Sequence, residues 1–206
     1  MLTIWGRTNS INVMKVLWAC AEMDIAYTRL DAGLHYGVVG TDAYGVMNPN
    51  RRVPTILDGE FSLWESNVIV RYLAMRERRT DLLPGTPRGR ADAERWMDWA
   101  TSTLAAPMTT LFWQLIRTPE AKRDSAAIDA AAKECARCFG IVEAHLRGRD
   151  FLSGQTLTVA DISVAPFVHR WFALPVAHEG VAALEAYYRR MLARSAYRQH
   201  VALPLS

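Results

Sequence analysis

The chain has 206 residues, 50% hydrophobic and 22% charged, which is enough apolar material to bury a core and to divide into two small domains. That balance excludes a disordered chain and a disulfide miniprotein. The formal charge of +3 is spread evenly, with nine lysines and arginines against eight acids in the first 80 residues and fifteen against thirteen in the rest, so neither half is a basic nucleic-acid arm.

In chain order, Leu2 to Trp5 reads as a short buried strand, and Val13, Val16, Leu17 and Cys20 follow at the spacing of an amphipathic helix. Ala26 to Asp31 alternates like a second strand, and Ala32 to Met47 is a glycine-dotted stretch of loop with one short helix. Thr55 to Leu57 and Phe61 to Leu63 flank Asp58-Gly59-Glu60, a turn whose glycine can take the positive φ of a tight hairpin. Val68, Ile69, Tyr72 and Leu73 then return to helical spacing. The order β-α-β-(loop)-β-β-α predicts a small mixed sheet with helices packed on it.

Residues 81–89, with two prolines and two glycines, form a linker between a domain at 1–80 and a second at 90–206. Everything beyond is helix-patterned: Arg90 to Arg117 with a kink at Pro107, Pro119 to Leu146, Thr158 to Phe172, and Val181 to Leu192. The second domain is therefore an all-α bundle, and the fold class is α/β plus all-α. In LTVADI, Thr158 can accept the N–H three residues on while Asp161 reaches back to the N–H of Thr158, a capping box with Asp in place of Glu.

No run approaches the ~18 apolar residues of a membrane span, and MLTIWGR is too short for a secretory signal. The expectation is a cytoplasmic protein with no membrane or nucleic-acid partner. Arg76-Glu77-Arg78-Arg79 and Arg147-Gly148-Arg149 read as solvated helix ends. Cys20, Cys135 and Cys138 leave one thiol unpaired in any disulfide scheme, which suits a reducing compartment. CARC lies inside a helix-forming run with no turn or second pair beside it, so its cysteines read as core, and the five scattered histidines suggest no metal site.

Chemistry concentrates at three places. The loop GRTNSINVMKV leads from a strand to a helix N-terminus, whose free N–H groups favour an anion such as a thiolate. Ser10 and Asn12 flank that helix start, either as N-caps or as donors to a bound group. Pro54 cannot donate to a ladder, so Val53-Pro54 belongs at an open strand edge, where an extended ligand can pair with the backbone of Val53. Glu65 and Ser66, at the next helix mouth, can hold an amino group and a carboxylate. Thiol site, peptide edge and amino-acid clamp together describe a pocket for a small thiol peptide.

The chain here resembles the soluble glutathione transferases. Ser10 to Val16, NPNRRVPTI (Asn48 to Ile56), Glu65-Ser66 and LTVADI match that family in order over nearly the whole length. The resemblance implies a thioredoxin-like N-terminal domain that binds glutathione, a helical domain that shapes the pocket for a hydrophobic electrophile, and a two-fold homodimer. It implies that Pro54 is cis and that Val53 presents its backbone to the cysteinyl part of glutathione. Glu65 and Ser66 then hold the γ-glutamyl end, with Arg52 near the site. Ser10 matches the hydroxyl of the serine-type, theta-like and phi-like classes, and Asn12 matches a polar position used in nu-like members.

Arg51 stands where the family often has glycine, and no cysteine occupies the entrance of the first helix. The alternatives are a glutathione-dependent disulfide or peroxide reductase on the same site, and a non-catalytic binding module. Trp96, Met97, Trp99, Ala100 and Thr103, then Met108, Phe112 and Trp113, and also Phe167, His169, Trp171 and Phe172, are bundle core or pocket lining.

Overall fold

The computed structural model describes residues 1–206. Its strands are β1 (Leu2–Trp5), β2 (Tyr27–Leu30), β3 (Thr55–Asp58) and β4 (Phe61–Trp64), joined in one sheet of order β2-β1-β3-β4. β2 runs parallel to β1, a pairing that needs a crossover, and α1 (Ile11–Glu22) supplies it. β3 and β4 form the antiparallel hairpin, closed at Gly59 with φ +62°. Ile4 faces Ile56 across β1 and β3, and both are fully buried. The hairpin strands run one residue longer than expected, because Asp58 pairs with Phe61 and Thr55 with Trp64.

α1 exceeds its expected role. Val13, Val16, Leu17 and Cys20 are buried as the spacing predicts, but so are Met14, Lys15, Trp18 and Ala19. A helix buried all round needs partners on both sides. α3 (Ser66–Arg76) lies on one, and α7 (Val159–Ala173) with α9 (Ser195–His200) on the other. α2 (Asp42–Met47) is the short helix of the loop region, capped by Thr41, whose Oγ1 accepts from the N–H of Tyr44 at 3.2 Å.

The helical half contains α4 (Pro87–Trp99), α5 (Ala105–Phe112), α6 (Ser125–Leu146), α7, α8 (Ala182–Ala193) and α9. Four expectations shift. α4 starts three residues early, because Pro87 occupies the first helical position, where a missing N–H is harmless, and Thr86 caps it. The irregularity expected at Pro107 falls before it, in a wide turn over Ala100–Leu104, with a second over Trp113–Arg117. α6 begins at Ser125 rather than Pro119, since Asp124 accepts from the N–H of Ala127 at 3.0 Å. α9 was not foreseen. It is held by Tyr197, whose ring meets Trp18 edge-on at 4.9 Å and whose hydroxyl donates to the carbonyl of Ala165.

All three cysteines are free and fully buried. Burial pushes the Cys20 and Cys135 thiols up to about 12, the opposite of a reactive thiolate.

Asp161 caps α7 and does more. Its carboxylate accepts from the N–H of Thr158 (2.8 Å), the N–H of Leu152 (3.0 Å) and the hydroxyl of Tyr187 (3.0 Å), so one side chain ties α7 to the preceding loop and to α8. The capping box with Asp161 is present, and Thr158 Oγ1 also accepts from the N–H of Ala160 at 3.3 Å. Burial raises the carboxyl to about 6, against the pull of those three donors. Asp161→Ala orphans three buried donors at roughly 1 kcal/mol each. Urea unfolding should show a loss of about 3 kcal/mol. A loss under about 0.5 kcal/mol, the size of an ordinary surface change, would mean that these bonds are not what fixes the loop.

Candidate active site

The site is built around a carbonyl. Asn48 Nδ2 donates to the carbonyl oxygen of Arg52 at 2.8 Å, and the Tyr44 hydroxyl donates to the same oxygen at 2.8 Å. Thr55 Oγ1 closes the knot, 2.8 Å from the Tyr44 hydroxyl and accepting from Asn48 Nδ2 at 2.9 Å. Asn48, Tyr44 and Thr55 are all buried, so each polar atom needs these partners. Neighbouring Val53 lies outside β3, and its N–H and carbonyl take no part in the backbone hydrogen bonds. The Val53–Pro54 peptide bond is cis. The result is one residue of open strand edge.

Arg51 adopts φ +51°. Its guanidinium donates to the carbonyl of Thr41 at 2.7 Å and of Val39 at 3.3 Å, and pairs with Asp42 at 3.4 Å. These bonds offset a left-handed backbone that costs roughly 1–3 kcal/mol. The guanidinium crosses Gly45 so closely that a Cβ there would meet Nη2 at 2.6 Å.

Ser10 precedes α1 and is buried, yet its side chain makes no capping hydrogen bond. Its hydroxyl lines a cavity of about 330 Å³ together with Asn12 and Val53. A second cavity of about 230 Å³ continues past Asn12, Arg52 and Val53 to Pro54, Glu65 and Ser66. The structure thus brings Ser10, Asn12, Arg52, Val53, Pro54, Glu65 and Ser66 onto one groove. Asn12 is exposed, and Ser66 Oγ donates to its Oδ1 at 3.3 Å. Glu65 holds φ +72°, makes no side-chain capping bond to α3 and lines the smaller cavity.

Several site residues were not visible in the sequence. Asn67, one residue into α3, donates to the carbonyl of Met97 (2.8 Å) and to Thr101 (3.1 Å), and accepts from Ser163 Oγ (3.0 Å). It fastens the helix mouth to α4 and α7. On the far wall of the larger cavity stand Thr109, Phe112, Trp113, Arg117 and Arg170, with Arg7 beside Ser10. Burial, then Arg117 and Arg7, push Arg170 down to about 9, and burial then Arg117 lower Arg7. Both guanidiniums remain charged near neutrality. Lys15 is buried with its Nζ 5.0 Å from the Phe167 ring centre, and burial followed by Arg170 lowers it to about 7.

Of the candidate pocket residues, Phe112 and Trp113 line the cavity. Trp96, Met97, Ala100, Met108, Phe167 and Trp171 are core. Trp99 packs partly buried against that core, with its ring 5.4 Å from Trp96. Buried His169 bonds to the Tyr188 hydroxyl and the carbonyl of Leu203, and Phe172 stacks on Tyr188. Thr103 sits half-buried in the wide turn before α5.

A mixed four-stranded sheet, an open edge before a cis-proline and a helical half behind it define a thioredoxin-like fold with an appended bundle. The profile described as "Glutathione S-transferase, N-terminal domain" matches residues 1–75, and that described as "Glutathione S-transferase, C-terminal domain" matches residues 125–190. Glutathione S-transferase GstB of Escherichia coli K12 is 40% identical over 208 residues, covering 100% of both chains. Glutathione S-transferase 3 of Zea mays is 29% identical, covering 99% of this chain and 95% of its own. Among solved structures, a theta class glutathione S-transferase from Xanthomonas axonopodis pv. citri with glutathione bound superposes with TM-score 0.96 at 43% identity, covering 100% of this chain and 99% of that one. The chain belongs to the glutathione S-transferase family.

The Arg51 latch makes a sharp prediction. In a free helix Gly→Ala gains about 1 kcal/mol, but at Gly45 the new methyl evicts the Arg51 guanidinium. Gly45→Ala should therefore stabilise less in the wild-type background than in an Arg51→Gly background. A double-mutant cycle read by thermal melts measures this, and equal effects in both backgrounds would contradict the contact.

Proposed function

We propose that the groove binds glutathione and that the chain joins its thiolate to an electrophilic small molecule. The observation that carries this reading is the open Val53 edge set beside a Ser10 hydroxyl that caps nothing. An extended tripeptide can pair with the Val53 N–H and carbonyl as a short antiparallel strand. Its γ-glutamyl end then reaches the smaller cavity. There the Glu65 carboxylate meets the ammonium, and Ser66, with the free N–H groups of the α3 N-terminus, meets the carboxylate.

This register puts the cysteinyl sulfur at the mouth of α1. Ser10 donates a hydrogen bond to the thiolate, and the α1 N-terminus adds its partial positive charge. Asn12, oriented by Ser66, is the alternative donor. The sulfur faces the larger cavity, where the second substrate enters between α5, α7 and the loop after β1. The sulfur attacks the electrophilic carbon, the carbon–leaving-group bond breaks, and the thiol proton has already passed to solvent. The protein's own thiols are buried away from this chemistry.

We also propose a two-fold dimer in which one subunit's N-terminal half, through the β4 and α3 residues Phe61, Val68 and Met75 that are exposed, meets the other subunit's helical half. Sedimentation of the intact chain reads this directly, and a monomer at micromolar concentration would contradict it.

The glutathione reading is tested by affinity. Wild type should be retained on immobilised glutathione and released by the free tripeptide. Glu65→Ala should lose retention with an unchanged circular dichroism spectrum, since the carboxylate caps nothing. A Glu65→Ala protein that binds as well as wild type would place the amino-acid clamp elsewhere.

A further inference from the structure

Many arginines in this protein are paired with acids, among them Arg71 with Glu94 and Asp98, Arg76 with Asp58, Arg79 with Asp81 and Arg194 with Glu22. Arg7, Arg117 and Arg170 pair with no Asp or Glu side chain. They come from the loop after β1, the turn after α5 and α7, and they meet in the larger cavity, whose lining contains no Asp or Glu. Arg7 donates to Asn9 Oδ1 and Arg170 to the carbonyl of Asn9 at 3.4 Å, both neutral acceptors, while Arg117 donates to the C-terminal oxygen of Ser206 at 3.0 Å. The Nε groups of Arg7 and Arg170 are buried with no partner at all.

Three clustered guanidiniums with no side-chain carboxylate among them are a costly arrangement, and the cost falls when a further anion joins them. The cluster also has an apolar floor. The guanidinium carbons of Arg170 and Arg117 lie 4.0 and 4.9 Å from the Phe112 ring centre, and Arg117 lies 4.8 Å from that of Trp113. A planar or short-chain carboxylate fits such a site, with its charge on the arginines and its carbon skeleton on the rings.

We propose that the second substrate is an electrophile that carries a carboxylate, bound by Arg7, Arg117 and Arg170 with its reactive carbon towards Ser10. This rests on the transferase reading above. It replaces a purely hydrophobic second substrate with an anionic one. In the same reading, with the γ-glutamyl end at Ser66, the glycine end of glutathione runs along the Val53 edge towards Arg52 and Leu34, which belong to the sheet-bearing half of the lining.

The test compares two aryl halides, a chlorodinitrobenzene with a para-carboxylate and the same ring with a carboxamide. In both, the carbon–sulfur bond forms, the carbon–chlorine bond breaks, chloride leaves with the electron pair, and the thiol proton goes to solvent. With each kcat/KM divided by its uncatalysed rate, wild type should favour the carboxylate by about tenfold or more. Arg117→Met should bring that ratio towards one through the KM of the electrophile, with the KM for glutathione held within about twofold. Arg7→Met should do the same, which guards against one variant folding poorly.

A wild-type ratio of one or less would overturn the proposal, as would a ratio unmoved by either variant. A rise in the KM for glutathione instead would assign the arginines to the tripeptide and overturn it too. Turnover of neither ring, with no retention on glutathione, would be a different failure: that of the transferase reading itself.

Discussion

The carbonyl of Arg52 is the point on which the site turns. Asn48 and Tyr44 donate to it from buried positions, and Thr55, the first residue of β3, accepts from Asn48 and is hydrogen-bonded to the Tyr44 hydroxyl. Each bond is worth only about 1 kcal/mol net, but leaving any of these atoms unpaired in the interior costs more. The peptide plane therefore has one satisfied orientation. In it, β3 enters the sheet at Thr55, and the polar groups of Val53 are left facing the groove. Arg51 extends the same control outward, because its guanidinium holds the 39–42 segment and α2, the helix that carries Tyr44.

A free edge becomes a reaction site only if something faces it, and the helical half is held opposite by polar ties as well as by packing. Asn67 links α3 to α4 and α7 at the level of Glu65 and Ser66. At the other end of the interface, Glu22 closes α1 and meets Arg194 between α8 and α9, while the indole of Trp18 donates to the same carboxylate. Since α1 is buried between the two halves, its N-terminus with Ser10 is fixed relative to both. The cavity that results is asymmetric: strand edge and hydroxyl on one wall, aromatic rings with Arg117 and Arg170 on the other.

What could be read from the sequence follows from the range of each interaction. The strands, α1, α3 and the hairpin were legible because alternation, helical spacing and an Asp-Gly turn are local signals. Val53, Pro54, Glu65 and Ser66 were legible because they lie within fourteen residues of one another in an ordered motif. α9 was not, since SAYRQH has no periodic face and owes its place to Tyr197 packing on Trp18. The irregular turn before Pro107 was misplaced because a proline ring conflicts with the carbonyl four residues earlier, so the helix adjusts ahead of it. Tyr44 was hidden in a glycine-dotted stretch with no pattern, and Arg7, Arg117 and Arg170 become neighbours only in the fold.

The central claim is that the Ser10 hydroxyl, having no capping duty, is there to stabilise a thiolate. An unperturbed thiol titrates near ~8.5, and a hydrogen bond to a charged group, worth about 1.5–3 kcal/mol, corresponds to roughly one to two pKa units. The direct measurement is ultraviolet thiolate absorbance against pH for the glutathione complexes of wild type, Ser10→Ala and Asn12→Ala. Ser10→Ala should raise the bound thiol's pKa by about one to two units, and Asn12→Ala should leave it nearly unmoved. An unmoved titration in Ser10→Ala, with the upward shift appearing in Asn12→Ala, would contradict the claim and transfer the role to the amide.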